Sequence, residues 1–230
     1  MSSIGVRLLT AVKKEGVASV ARRVYRRVWS TTTREFILRC DLERLVTEPP
    51  AKTSIAMQPV DLLTFTGFVD ELERVAAPDV AAVRNREQMR LEGIEGLYTC
   101  FSSTGQPMFS QWLMRPDQPR YLSRVLRSSL RDDEVLIEGA YTFVEFRRLG
   151  AMGAGMHQLL ARARDDGFRW AFTGVRPGNI PSLRGCYRVG FQLDYVRKGT
   201  HRLGRYRRIY LPPGPEDWSA WRRAVGLDDF

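Results

Sequence analysis

Residues 134–153 read Glu134-Val135-Leu136-Ile137-Glu138-Gly139-Ala140-Tyr141-Thr142-Phe143-Val144-Glu145-Phe146-Arg147-Arg148-Leu149-Gly150-Ala151-Met152-Gly153, and they decide the fold. The run from Val135 to Val144 is rich in β-branched and aromatic residues, which predicts a strand. Met152, Met156, Leu159, Leu160 and Ala163 then recur at helical spacing, which predicts a helix from Gly150 to Asp166. Its N-terminus falls on small residues, Gly150 to Gly153, directly behind two arginines. Unpaired N–H groups at a helix start, the aligned peptide dipoles and the missing glycine side chain all favour an anion there. Arg147 and Arg148 add charge-assisted hydrogen bonds. A pyrophosphate suits this arrangement, although small residues also occur where a helix packs tightly on a sheet.

Trp170 to Val175 reads as a buried strand, and Ile180 to Val189 as a short helix. The block Asn179-Ile-Pro-Ser182-Leu-Arg-Gly-Cys186-Tyr187-Arg-Val-Gly190-Phe191 spans that helix. Together the two blocks resemble the GNAT superfamily of N-acyltransferases. In that family Gln/Arg-x-x-Gly-x-Gly/Ala follows the fourth strand and wraps the pyrophosphate of coenzyme A. Here Arg147-x-x-Gly150 fits, Glu145-Phe146-Arg147 is similar to the usual lead-in, and Met152 departs from the pattern at the final Gly/Ala position. The second block is similar to Asn-x-x-Ala/Ser-x-x-x-Tyr-x-x-x-Gly-Phe, with Cys186 in the tyrosine's place and Tyr187 beside it.

The resemblance, which covers residues 53–211, implies an α/β fold with a mixed, mostly antiparallel central sheet flanked by helices. It implies transfer of an acyl group from acetyl-CoA, or another acyl thioester, to a primary amine by direct attack. The donor site would comprise Ala140, Tyr141, Thr142, Arg147, Arg148, Leu149, Gly150, Ala151, Met152 and Gly153, with Asn179 on the pantetheine arm. An acid for the departing thiolate would be Tyr187, which is chemically conventional, or Cys186, which has the expected position but also suits a small core residue.

Glu138 is the candidate base. Two-residue alternation sets it on one strand face with Leu136, Ala140 and Thr142, and partial burial would lift its pKa into the range useful for base catalysis. The competing reading pairs it with an arginine at the sheet surface, and some members of the family use only bound water as base.

Outward from this centre, the pattern predicts a strand from Ser54 to Val60 and helices from Leu62 to Val75 and from Asp79, as cap, to Leu91. A hairpin over residues 97–114, a polar stretch over 117–132 and a basic hairpin from Leu193 to Leu211 complete the mixed α/β pattern. Residues 1–52 are expected to form an appendage, and residues 53–230 the acyltransferase domain. Within the appendage, Val17, Val20, Ala21, Val24, Tyr25 and Val28 oppose Arg22, Arg23, Arg26 and Arg27, the pattern of a basic amphipathic helix. A short strand, Phe36 to Leu38, and a linker at Glu48-Pro49-Pro50 follow.

The charge is uneven. Residues 1–40 carry nine Lys and Arg against Glu15 and Glu35, so +7 of the chain's +10 lies there. Such a balance favours anionic partners. An anionic membrane surface reached through residues 1–30 is one; an acidic acyl carrier protein, delivering a long-chain acyl group, is another. The acceptor would be a small-molecule or lipid-linked amine. Nucleic acid ranks below these, because no recognition helix or zinc motif is present. Cys40, Cys100 and Cys186 form no CxxC pair, which points to a reducing cytoplasm. No apolar run approaches the roughly 20 residues of a membrane span, and the N-terminus lacks a secretory signal pattern, so the protein is expected to be cytoplasmic or peripheral to the inner face of the membrane. His157 and His201 have no metal-ligand spacing with the cysteines, so no metal is expected, and both are read as solvated surface residues.

Overall fold

A computed structural model describes residues 31–84, 93–117, 130–202 and 205–227. They form an eight-stranded sheet in the order β2-β3-β4-β5-β6-β1-β7-β8. The strands are β1 (Thr31–Asp41), β2 (Gln58–Pro59), β3 (Leu97–Phe101), β4 (Pro107–Met114), β5 (Glu134–Thr142), β6 (Trp170–Val175), β7 (Gln192–Arg202) and β8 (Arg205–Leu211). The helices are α1 (Leu62–Arg74), α2 (Ala151–Asp165), α3 (Ile180–Arg188) and α4 (Pro215–Val225), with residues 80–84 also helical. Only the β5–β6 pairing is parallel; the others are antiparallel.

Strand alternation divides the core in two. On one face Phe36, Leu38, Val135, Ile137, Ala171 and Val175 meet Leu159 and Leu160 of α2, Leu183 of α3 and Trp221 of α4. On the other, Ile37, Leu136 and Phe172 meet Phe65 and Val69 of α1. Each fully buried aliphatic side chain contributes about 1.5–3 kcal/mol, so these central strands anchor the fold.

Two helices around the site stop in the same way. Gly167 (φ +91) donates to Arg164 and Phe168 to Ala163 after α2, while Gly190 (φ +100) donates to Tyr187 and Phe191 to Cys186 after α3. Both are left-handed glycine caps of the Schellman type.

Several expectations are corrected. The short strand at Phe36–Leu38 is an eleven-residue strand set between β6 and β7, so a division at Thr53 cuts a central strand from its sheet. The strand from Ser54 to Val60 shrinks to Gln58–Pro59, because the preceding residues run over α2 instead. There Gln158 donates to Ile55 O (2.8 Å) and Glu48 Oε1 (3.1 Å), and accepts from Met57 N (3.0 Å). His157, far from solvated, is half-buried and its Nε2 donates to Val46 O (2.8 Å). The supposed linker is thus a strap pinned along α2. Helix α4 was not foreseen, although Gly214-Pro215 and Trp218/Trp221 mark it. The basic helix of residues 1–30, most of the 117–132 stretch and residues 85–91 lie outside the described residues, as does the His201 side chain. Among the described residues no helix is long and apolar enough to cross a membrane.

Candidate active site

The site begins where two strands part. β5 and β6 pair only from Glu134–Leu136 to Trp170–Phe172. Beyond Leu136, Ser110 faces Tyr141 and Trp112 faces Glu138, so Gly139 and Ala140 of β5 oppose Gln111 alone. This is a β-bulge, which bends its strand. Gly139 permits it: its φ is +64, and a Cβ there would press to 3.0 Å on the Trp112 ring. In the gap lies a cavity of about 320 Å³ with Glu138, Thr173, Gly174 and Val175 on its walls. Glu35 from β1 and Cys186 from α3 also face it.

A larger cavity of about 820 Å³ adjoins it at the start of α2. Ala140, Met152, Asn179 and Ser182 line both. Every residue expected at the donor site lines the larger one: Ala140 to Thr142, Arg147 to Gly153, and Asn179. The sequence did not single out Lys52 of the strap or Arg184 and Arg188 of α3, which line it too. With Arg147 and Arg148 they bring five cations and no carboxylate to the lining. The backbone at the helix start is unusual: Arg148 (φ +67) and Gly150 (φ +86) are both left-handed, a strained conformation for arginine. Arg147 folds back, its Nε donating to Thr142 O (3.3 Å) and its guanidinium lying over Tyr141.

Gly150 is required for a reason other than open space for a phosphate. A Cβ would meet Pro50 O at 2.8 Å and Ala51 Cα at 2.9 Å, and Leu149 O accepts from Lys52 N (2.8 Å). The strap therefore sits on Gly150. Behind the loop, buried Asp79 accepts from the Tyr141 hydroxyl and from Val144 N (3.3 Å), tying the end of β5 to the residues beyond α1.

Burial pushes the Glu138 carboxyl up to about 7, and the neighbouring Glu35 adds to the rise, while the Gly139 N–H (3.2 Å) and Arg197 oppose it. Arg197 itself is ion-paired with Glu35. Burial, then the Glu138 charge, pushes the Cys186 thiol up to about 12. Tyr187 lines neither cavity; its ring packs edge-on against Trp221 at 6.2 Å.

Among solved structures, the GCN5-related glucosamine N-acetyltransferase region of a fungal multi-domain GH3 β-N-acetylglucosaminidase matches 80% of this chain and 22% of its own, with a TM-score of 0.51 at 11% identity. The chain has the GNAT fold. A GNAT-family acetyltransferase from Colwellia psychrerythraea is also similar (TM-score 0.49, 12% identity, 85% of this chain and 61% of that one). So is a GCN5-related N-acetyltransferase from Sphaerobacter thermophilus (TM-score 0.47, 11% identity, 81% and 58%). The chain spans less than two thirds of the length of each. No family model matches the chain, and no curated protein matches it in sequence.

Within the GNAT fold, the residues of the second block explain themselves physically. Asn179 caps α3, its Oδ1 accepting from Ser182 N (3.4 Å), which leaves only its amide N–H groups to donate elsewhere. Gly190 and Phe191 close the same helix. Met152, the departure from the GNAT signature, turns its side chain onto Gly185, where a Cβ would meet Met152 Cε at 2.9 Å. Its bulk thus covers α3 at the junction of the two cavities.

Proposed function

We propose that the protein is an N-acyltransferase that takes an acyl group from a coenzyme A thioester, acetyl-CoA in the first instance, and passes it to a primary amine. The observation that carries this reading is the pair of joined cavities: a cationic one at a helix start, opening into a smaller one that holds a half-buried glutamate near neutrality. A cavity of this size matches a cofactor-sized ligand, and five cations without a carboxylate suit a polyphosphate. The N–H groups of Ala151, Met152 and Gly153 and the α2 dipole would face the pyrophosphate. The β5–β6 ladder ends at Leu136 and Phe172, so the two strands part beside the donor cavity, where Ala140 and Thr142 on its lining would meet the amide groups of an extended pantetheine arm.

Glu138 would take a proton from the acceptor amine, which then attacks the thioester carbonyl. With its carboxyl at about 7, it is ionised in mildly alkaline buffer and protonated below neutrality. Neither proposed acid fits the leaving step. A thiol at about 12 cannot readily protonate a thiolate of ordinary pKa near 8.5, and Tyr187 lies outside the cavities. The departing thiolate would instead take the second proton of the attacking nitrogen. The test is release of free thiol from acetyl-CoA in the presence of an amine panel, with the amide detected by mass. The rate should fall below about pH 7 with Glu138 ionisation. Thioester left intact with every amine would refute the activity.

A further inference from the structure

We propose that Glu35 receives the acceptor, holding its ammonium group in a slot over Gly174, and that the acceptor is a primary amine with no carboxylate on the carbon that bears it. The inference rests on the acyltransferase reading above and names the acceptor that reading leaves open.

Glu138, Gly174 and Glu35 lie on three successive strands, β5, β6 and β1. The middle position carries no side chain, and that keeps a slot open between the two glutamates. A Cβ at Gly174 would stand 3.7 Å from Glu35 Oε2, 3.8 Å from Glu138 Oε2 and 3.5 Å from Ile37 Cδ1. Two carboxylate oxygens on flanking strands therefore face one point in the smaller cavity, which also touches the donor cavity through Ala140 and Met152. The two glutamates differ in their surroundings. Arg197, directly opposite on β7, is ion-paired with Glu35 and fixes its carboxylate. Glu138 has the Gly139 N–H. Glu35 is thus a carboxylate held in place by its ion pair, beside the candidate base Glu138, an arrangement suited to a cation that must arrive charged and leave neutral.

The bond changes balance without any further reactant. The ammonium gives one of its three protons to Glu138, its nitrogen bonds to the thioester carbonyl carbon, the C–S bond breaks, and one of the two remaining N–H protons leaves with sulfur as thiol, the other staying on the amide nitrogen. Glu138 returns its proton to solvent. A carboxylate on the amine-bearing carbon would enter the same slot against two anions, and like charges at that range are strongly disfavoured. Arg176, on the cavity wall, is the cation that could hold such a carboxylate, and the experiment includes that outcome.

Two variants and matched acceptors test this. Gly174→Ala adds one methyl group at ordinary contact distances on unstrained backbone, so the fold should persist. Glu35→Gln removes the charge; because it also takes from Arg197 its ion-pair partner, Glu35→Gln with Arg197→Gln is measured alongside. With acetyl-CoA and tyramine, tryptamine or agmatine, each variant should raise the amine KM at least about tenfold, leave kcat within about threefold, and leave the calorimetric acetyl-CoA Kd unchanged. Each amine should exceed its amino acid, tyrosine, tryptophan or arginine, at least about tenfold in kcat/KM. Wild-type KM in both Gly174→Ala and the Glu35 variants overturns the slot. Preference for the amino acids overturns the acceptor class, with Arg176 as the carboxylate's partner. No thiol release by the wild-type chain with any of the six overturns the acyltransferase reading, and the inference with it.

Discussion

Glu138→Gln should stabilise the protein, and only at high pH. The folded-state carboxyl sits near 7 against an ordinary 4.5, raised chiefly by burial. Below pH 4.5 the group is protonated in both folded and unfolded chains, and nothing is lost on burial. Between 4.5 and 7 the unfolded chain gives up its proton while the folded one keeps it, so stability falls as pH rises. Above about 7 the whole cost is present. That interval is worth roughly 3 kcal/mol at about 1.4 kcal/mol per tenfold, and water on the cavity side trims it to about 2–3 kcal/mol. Glutamine of the same shape carries no such cost. For a domain of this size about 2–4 °C accompanies each kcal/mol, so the variant's Tm advantage over wild type should grow by about 5–10 °C between pH 4.5 and pH 8. Thermal melts across that range, read as the difference between the two proteins, cancel every group they share. A surface ion pair with arginine would give the opposite slope, because its folded carboxyl would be lowered. A flat or falling difference would refute the buried-base account.

Other expectations follow from the same geometry. Lys52→Ala should weaken calorimetric CoA binding severalfold with an unchanged Tm, since Lys52 brings the strap's only charge to the donor cavity lining. Gly150→Ala should lower stability by at least about 2 kcal/mol, because a left-handed backbone is combined with a Cβ at 2.8 Å from Pro50 O; an unchanged melt would mean the strap does not sit there in solution. Cys186→Ala and Tyr187→Phe should each keep kcat within about twofold, and a large loss in either would identify the proton donor.

The stretch around β5 and α2 was legible because helix starts, caps and strands are local devices. Asn179, Gly190 and Phe191 could be read at correct spacing because they begin and end one helix. What escaped was long-range. β1 looked like a basic appendage of threonines, yet nothing in its own residues tells that it lies between β6 and β7, strands more than a hundred residues away. The strap looked like a linker because Glu48-Pro49-Pro50 has no period; its anchors, His157 and Gln158, are remote in sequence. Glu35 carries no motif and gains its role only through Gly174. At the motif's tyrosine position, Cys186 faces the core and the smaller cavity, while one residue on, the helix turns Tyr187 toward Trp221.

The measurement that bears most directly on the central claim is a calorimetric titration of the full chain with coenzyme A at two salt concentrations. One site per chain, weakened severalfold between 50 and about 200 mM salt and lost when Arg147, Arg148 and Lys52 are replaced together, is the expected result for phosphates held by a cationic cavity. No detectable binding at about 1 mM ligand, roughly the weak end of cofactor affinity, would contradict it.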